Sequence, residues 1–265
     1  MSTTYLTPVL TGRTLLRANP VSKLFAAVVI TVALMSSIDW VSAAVVLVCE
    51  LALMPLLGIS VWGLLRRIWP LLIAAAIGGY GTALLAEKTG DVLLAIGPIV
   101  FTEDSVADGI AVGLRGLALA LPGIFILLTT DPTDLADALA QKLHLPHRFV
   151  LGGLASLRLV GLLVEQWETL GLARQARGVG SDGSLVARTR NLLGQSFGLI
   201  VQAIRRATRL ATAMEARGFG GGTRTWARSS TYSALDAVIA VVGLVVAVGA
   251  VTTAVLAGTW NFILS

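Results

Sequence analysis

Five apolar stretches dominate the pattern along the chain, each near the roughly 20 residues that a helix needs to cross the hydrocarbon core of a bilayer. Four of them contain a charge or a proline: Glu50 in the second, Pro70 in the first turn of the third, Asp108 and Arg115 in the fourth, and Asp236 at one end of the fifth. This pattern predicts an all-α integral membrane protein with about five transmembrane helices. The predicted spans are residues 24–38, 41–59, 68–86, 106–129 and 234–259.

A different pattern fills residues 131–233, where apolar positions are interspersed with basic ones. Asp131 and Pro132 form a typical helix start, with a capping side chain and a proline at the first helical position. Two longer helical patterns follow, over residues 147–174 and 185–215. They carry too many charges for the bilayer core and too much Leu, Val and Ile to stand alone in water. We therefore expect long helices packed on each other at the membrane surface, with one face offered to a soluble partner.

The predicted organisation has three parts. Residues 1–130 form an N-terminal membrane region with four transmembrane helices, residues 131–233 a cytoplasmic region of long helices, and residues 234–265 a C-terminal transmembrane helix. The composition agrees, because 55% of the 265 residues are hydrophobic and only 13% are charged, against about 25% charged in soluble domains. A net charge of +5 then reflects Lys and Arg on the cytoplasmic side rather than a nucleic-acid partner.

The distribution of charge predicts the orientation. Of the 20 Lys and Arg residues, 13 lie between positions 131 and 232, whereas residues 87–108 hold five acids and one base. Basic residues also precede the first span (Arg13, Arg17 and Lys23) and follow the second (Arg66 and Arg67). By the positive-inside rule, we expect this chain to be a multi-pass protein of a bacterial cytoplasmic membrane. Its N-terminus would lie in the cytoplasm, and residues 87–108 and its C-terminus would lie outside. A cleavable signal peptide is the competing interpretation of the first stretch, but a second apolar stretch follows at once.

Two tripeptides repeat at an offset of 40 residues. Ala176-Arg177-Gly178 and Ala216-Arg217-Gly218 each end a predicted cytoplasmic helix, and each is followed by an apolar residue and another glycine. One account is capping, in which glycine ends the helix and arginine interacts favourably with the helix dipole. The other is recognition, in which each planar guanidinium binds carboxylates or helix C-termini of a partner. Two equivalent tips would require a partner with two equivalent sockets, such as a dimer of ATPase subunits.

At these tripeptides the sequence resembles the transmembrane coupling subunit, or T component, of energy-coupling-factor (ECF) ABC transporters, the EcfT/CbiQ family. Three further stretches are similar to that family in the same order along the chain: the start of the first span, the exit from the fourth, and a segment before the first tripeptide. Gly161 stands where the family pattern has a proline, so the kink of that helix is not carried over. The stretches are residues 19–24, 129–135 and 157–165.

The resemblance implies a non-catalytic subunit of an importer for vitamins or for cobalt or nickel ions. Its partners would be two ATP-binding-cassette ATPase subunits, which receive Arg177 and Arg217, and one substrate-binding membrane subunit. ATP and Mg²⁺ would be bound by the ATPases, so that this chain has no catalytic, cofactor or metal site of its own. The cradle for the substrate-binding subunit would be Leu192, Leu193, Phe197 and Ile200, unless these side chains only pack on their own chain.

Other functions find weaker support in the residues. The chain has no P-loop pattern, so it does not bind ATP in that way itself. The segment 182–188 resembles the opening of membrane phosphatidyltransferases, but its spacing is one residue too long and no aspartate pair follows. His144 and His147 have no neighbouring carboxylate or thiol in the sequence to complete a metal site. A stand-alone secondary transporter or channel that uses the intramembrane Glu50 and Arg115 remains the main alternative.

Overall fold

The computed structural model describes residues 18–37, 39–56, 61–96, 99–179, 184–219, 221, 226 and 228–260. Helices dominate these residues, and one two-stranded antiparallel sheet accompanies them. The predicted all-α membrane fold is thereby confirmed. The elements are α1 (Pro20–Met35), α2 (Trp40–Leu56), α3 (Val61–Leu85), β1 (Val92–Ile96), β2 (Ile99–Thr102), α4 (Glu103–Thr129), α5 (Pro132–Lys142), α6 (His147–Ala176), α7 (Leu185–Ala216) and α8 (Ala234–Leu256).

Four of the described helices are long and apolar enough to cross a membrane: α3 over Ile68–Leu85, α4, α6 and α8. Helices α1 and α2 are apolar too but shorter, with 16 and 17 residues, and they pack against α8 and α4. Helix α6 meets the length and composition criterion although none of its residues is buried. Its assignment to the cytoplasmic side stays a prediction from the charge pattern.

The chain divides into two compact units. The membrane unit comprises residues 1–138 and 230–265, with α1 to α4, the two strands and α8. The paired-helix unit comprises residues 139–229, with α6 and α7, and the boundary falls inside α5. Arg13 and Arg17 of the predicted N-terminal basic cluster lie outside the described residues.

Small side chains build much of the core of the membrane unit. The main cluster joins α1, α2, α4 and α8, and half of its buried members are alanines. Small residues allow helix backbones to approach closely, which matters in a bilayer because lipid tails compete equally well for larger apolar side chains. A second cluster, of Met54, Ile68 and Leu121, joins α2, α3 and α4. The first cluster consists of Ile30, Leu34, Ala43, Val46, Ala118, Val246, Ala247 and Ala250.

The contact between α3 and α4 depends on glycine. A Cβ atom on Gly109 would lie 2.6 Å from the carbonyl oxygen of Gly79 and 2.8 Å from the Cβ atom of Ala83. Gly109→Ala is expected to lower the free energy of unfolding by about 1–3 kcal/mol, since overpacking forces the helices apart. The matched control is Gly116→Ala on the same helix, where a Cβ atom meets nothing within 4 Å and helix propensity improves. Thermal unfolding in detergent measures both, and an equal response would contradict the close-packing account.

Helix α3 begins earlier than the sequence analysis expects. It starts at Val61, so the placement of Pro70 in a first turn is wrong, and Pro70 lies in the helix interior. Arg66 and Arg67 also belong to the helix rather than to a loop. The prediction followed the apolar run, which marks the membrane-embedded part of a helix and not its length. Proline inside a membrane helix is tolerated where neighbouring groups satisfy the carbonyl that it leaves free.

Residues 87–108 are more ordered than the predicted loop. Strands β1 and β2 form a hairpin there, with Val92 opposite Thr102, and α4 already begins at Glu103. Thr102 and Ser105 cap α4 reciprocally: the Thr102 N–H donates to Ser105 Oγ at 3.0 Å, and the Ser105 N–H donates to Thr102 Oγ1 at 3.4 Å. Glu103 and Asp104 therefore lie in the first turn of a helix, where the dipole favours negative charge.

Candidate functional site

Helices α6 and α7 end in the same backbone motif. The Gly178 N–H donates to the Gln175 carbonyl at 2.9 Å, and the Val179 N–H donates to the Arg174 carbonyl at 3.0 Å. At the end of α7 the corresponding bonds, Gly218 to Glu215 and Phe219 to Met214, are both 2.9 Å. This pair of bonds is the Schellman motif. The predicted stops of both helices are confirmed, and the two tripeptides are conformational copies of each other.

The cap explains the glycines but not the arginines. Gly178 and Gly218 have φ angles of +75° and +72°, which glycine adopts without the penalty that a Cβ atom brings. The cap bonds come only from backbone groups, so the side chains of Arg177 and Arg217 take no part in them. Both arginines are exposed. Their guanidinium groups have no hydrogen bond or ion pair with any residue that the structure describes. The second glycine of each repeat, Gly180 and Gly220, lies outside the described residues.

The two tips lie at opposite ends of the helix pair. Near the end of α6, the Gln195 side chain donates to the Trp167 carbonyl at 2.7 Å, and a Cβ atom on Gly171 would contact Gln195 at 3.3 Å. The earlier part of α6 instead faces the later part of α7, residues 206–219. The helices therefore run in opposite directions. Along the helix axes, at 1.5 Å per residue, Arg177 lies about 9 Å beyond the contact between Gly171 and Gln195, and Arg217 lies about 33 Å from that contact in the other direction. Measured along the pair, the tips are therefore roughly 40 Å apart.

A groove of about 560 Å³ lies beside the α7 tip. Arg217 lines it together with Arg158 of α6 and Arg206 of α7, and its other walls are mainly apolar. Phe219, which follows the tripeptide, lines the groove as well. This surface combines three guanidinium groups with apolar walls, so it suits a partner segment that carries both acidic and apolar side chains. The sequence analysis did not identify this groove, because its residues come from separate helices.

The predicted cradle on α7 is exposed. Phe197 is 69% exposed and Leu193 is 72% exposed, so these side chains do not pack on described parts of their own chain. Leu192 and Ile200 are also exposed. All four lie within about two turns of α7. Together they form an apolar surface that is large enough for a helix of a partner to lie against.

A buried polar cluster, here called the polar clamp, joins the starts of α1 and α8. Asp236 of α8 is 3% exposed and accepts four hydrogen bonds. The Asn19 N–H and the Ser22 hydroxyl donate to Oδ1 at 2.5 and 2.9 Å, and the Ser233 N–H and hydroxyl donate to Oδ2 at 2.6 and 2.9 Å. Asp236 thus caps its own helix and binds the start of another.

The clamp also includes the end of α4. Lys23 of α1 is buried, and its ammonium group donates to the Thr129 carbonyl at 2.8 Å. The Asn19 amide donates to Ser230 Oγ at 2.8 Å. Thr129 is the last residue of α4, and Ser230 is the first residue of the membrane unit after the paired-helix unit. The clamp consists of Asn19, Ser22, Lys23, Thr129, Ser230, Ser233 and Asp236, and it joins the end of α4 and the return of the chain at Ser230 to the starts of α1 and α8.

Part of this clamp could be found in the sequence. Residues 19–24 and 129–135 are two of the stretches that resemble the T components of ECF transporters. The structure connects these two stretches through the hydrogen bond from Lys23 to Thr129. The role of Asp236 was missed, although Ser233 and Asp236 have the spacing of a capping box. A pattern of this kind identifies a helix start, but it gives no indication of a contact 217 residues away.

The other candidate groups form no site in the described residues. Glu50 is buried and its carboxyl oxygens accept no hydrogen bond, so the pair with Arg115 that a stand-alone transporter would use is not formed. No group of three or more His, Cys, Asp or Glu residues in the described part of the chain could hold a metal ion, and neither His144 nor His147 belongs to such a group.

The predicted Asp131 cap at the start of α5 is confirmed, because Asp131 Oδ1 accepts from the Thr133 N–H at 2.7 Å.

Comparison with known proteins supplies the family context. The profile of the CbiQ family, described as cobalt transport protein, matches residues 12–227. The EcfT protein of Brevibacillus brevis, an energy-coupling factor transporter transmembrane protein, is 31% identical over 244 residues, which cover 88% of this chain and 91% of that protein. Proteins of the same name from Heliobacterium modesticaldum and Bacillus subtilis are 34% and 33% identical over 59% and 62% of this chain, and over 62% and 64% of their own lengths.

Proposed function

Because the chain belongs to the EcfT/CbiQ family, the transmembrane components of energy-coupling-factor transporters, we propose that it couples ATP-driven motion of two ATPase subunits to a substrate-binding membrane subunit. The observation that carries this proposal is the pair of identically capped helix ends, whose guanidinium groups have no partner among the residues that the structure describes. A cap needs the glycine and the backbone, so the repeated arginines require another reason. Each arginine offers five donors in a planar fork that suits a carboxylate or a helix C-terminus.

The separation of the tips supports two ATPase subunits rather than one. Arg177 and Arg217 lie at opposite ends of an antiparallel pair, roughly 40 Å apart, which is more than the diameter of a small domain. One ATPase engages each tip. When ATP closes the two subunits, the tips are displaced relative to each other and the helices carry the displacement. Coupling requires that the ATPases bind the tips differently in the two nucleotide states.

The exposed apolar residues of α7 receive the substrate-binding subunit. Phe197 and its neighbours Leu193 and Ile200 form a surface that a soluble monomer would rarely expose. Displacement of α7 then reaches that subunit directly, and the cargo is a vitamin or a transition-metal ion such as cobalt. ATP and Mg²⁺ are held by the ATPases, and this chain contributes no catalytic group.

Purification of the tagged full-length chain in mild detergent tests the proposal. Native mass spectrometry is expected to find one copy of the chain with two ATPase subunits and one further membrane protein. The reconstituted complex should take up its cargo only with hydrolysable ATP. A chain that purifies alone and transports in proteoliposomes without ATP would contradict the proposal and support a stand-alone transporter.

The orientation has its own test. We propose that residues 87–108 face the outside and that the tips face the cytoplasm. With Cys49 replaced by serine, a cysteine at Glu87 should react with an impermeant maleimide in intact cells, whereas a cysteine at Val179 should react only after the membrane is opened. Both positions are exposed on the chain, so a difference in labelling would reflect the side of the membrane and not burial in the protein. Labelling of position 87 from the cytoplasmic side would reverse the proposed orientation.

A further inference from the structure

A cavity of about 490 Å³ lies between α1, α2, α4 and α8 in the membrane unit. Its walls are almost entirely apolar, with Ala27, Phe125 and Val242 among the lining residues. Lys23 and Thr129 line the cavity at the clamp end of the unit, and Glu50 lines it farther along α2. The size is that of a pocket for a small organic molecule. The proposed coupling function does not use this space.

Glu50 is the exceptional group in the cavity. Its side chain is 4% exposed, and neither carboxyl oxygen has a hydrogen-bond partner among the described residues. By contrast, Lys23 at the other end donates to the Thr129 carbonyl. A buried polar group without a partner is costly, and inside a membrane it marks a functional site by default. The cavity therefore offers two acceptors in an otherwise apolar space.

These features define the chemistry of a ligand. The walls require a hydrocarbon body, and the two carboxyl oxygens require two adjacent hydrogen-bond donors. An ionic head of either sign would have to leave water for an apolar space, which is costly even where it meets an opposite charge, and an acidic head would in addition oppose Glu50. We propose that this cavity binds a neutral amphiphile with adjacent hydroxyl groups, of the monoacylglycerol type, whose hydroxyls donate to Glu50 and whose acyl chain lies along α1, α4 and α8.

Photo-crosslinking of the full-length chain in detergent tests the site. The probe is a monoacylglycerol with a diazirine in its acyl chain, and the crosslinked residues are identified by mass spectrometry. Crosslinks are expected on cavity residues such as Ala27, Phe125 or Val242. Unlabelled 1-monododecanoylglycerol should compete roughly tenfold or more better than methyl dodecanoate, dodecylamine or dodecanoate, because only it donates two neutral hydroxyl hydrogen bonds. Crosslinks confined to other surfaces, or equal competition by the methyl ester, would overturn the proposal.

Three variants test the roles of Glu50 and of the cavity. Glu50→Leu should weaken competition by 1-monododecanoylglycerol roughly tenfold or more, whereas Glu87→Leu at an exposed acid outside the cavity should leave it unchanged. Removal of an unpaired buried carboxyl does not harm folding, so Glu50→Leu should unfold at an equal or higher temperature than the wild type without the probe. Unchanged competition, or a lower unfolding temperature that shows a native partner for Glu50, would refute the assignment. Ala27→Phe should block crosslinking by filling the cavity.

Discussion

A chain in which Arg177 and Arg217 are both replaced by glutamate is expected to fold normally, yet to lose its ATPase subunits and all ATP-driven uptake. Both guanidinium groups lack a partner within the described chain. Folding therefore loses their favourable interaction with the helix dipole and gains an unfavourable one from glutamate, each about 0.3–1 kcal/mol per tip. At an interface, loss of one partner of a close charge pair costs about 2–5 kcal/mol. Two tips together should therefore weaken assembly on the order of a thousandfold or more. Co-purification and uptake by the reconstituted complex measure the effect.

The controls separate recognition from capping. Arg209→Glu reverses another exposed charge on α7 and should leave assembly intact. Arg177→Lys with Arg217→Lys keeps both charges and any dipole interaction but loses the planar fork, so the recognition account expects intermediate assembly. The capping account expects no change for the lysine pair, because the cap bonds come from the backbone. Full assembly of the glutamate pair would refute the recognition account.

Local signals explain which parts of the fold could be predicted. Asp131 and Pro132 start α5, and Gly178 and Gly218 end α6 and α7, because a helix end is determined by the few residues around it. The periodicity of apolar residues likewise locates membrane helices, since burial in lipid depends on each residue's own side chain. The start of α3 was missed because Arg66 and Arg67 interrupt the apolar run without ending the helix.

Contacts between distant residues explain the rest. The bonds from Asn19 and Ser22 to Asp236 bring together positions more than 200 residues apart, and no local pattern in one sequence specifies them. The tripeptides could be read from the sequence as helix ends, but their separation depends on the direction in which α6 crosses α7. That Glu50 has no hydrogen-bond partner among the described residues is a property of the packed helices, whereas the sequence indicated only that a carboxyl lies in a span.

The polar clamp leads to the second large effect: Asp236→Ala is expected to destabilise the membrane unit by about 3 kcal/mol or more. The substitution removes four acceptor contacts at once and leaves the N–H group of Asn19 buried without its partner. An unsatisfied buried donor costs about 1–3 kcal/mol, and loss of a helix cap about 0.5–2 kcal/mol. The thermal unfolding midpoint in detergent should fall by several degrees. Asp236→Asn keeps one acceptor oxygen, so its unfolding midpoint should lie between those of the wild type and Asp236→Ala.

Glu103→Ala is the matched control for the clamp. Glu103 is an exposed acid in the first turn of α4, so its loss removes only the dipole interaction, about 0.3–1 kcal/mol. If the clamp also transmits motion, complexes that still assemble with Asp236→Asn should hydrolyse ATP while taking up less cargo, since the clamp holds the end of α4 and the point where the chain re-enters the membrane unit. An equal loss of stability in Glu103→Ala would show that charge at a helix start, rather than the buried bonds, stabilises this junction. Undiminished uptake per ATP hydrolysed by Asp236→Asn would confine the clamp to a structural role.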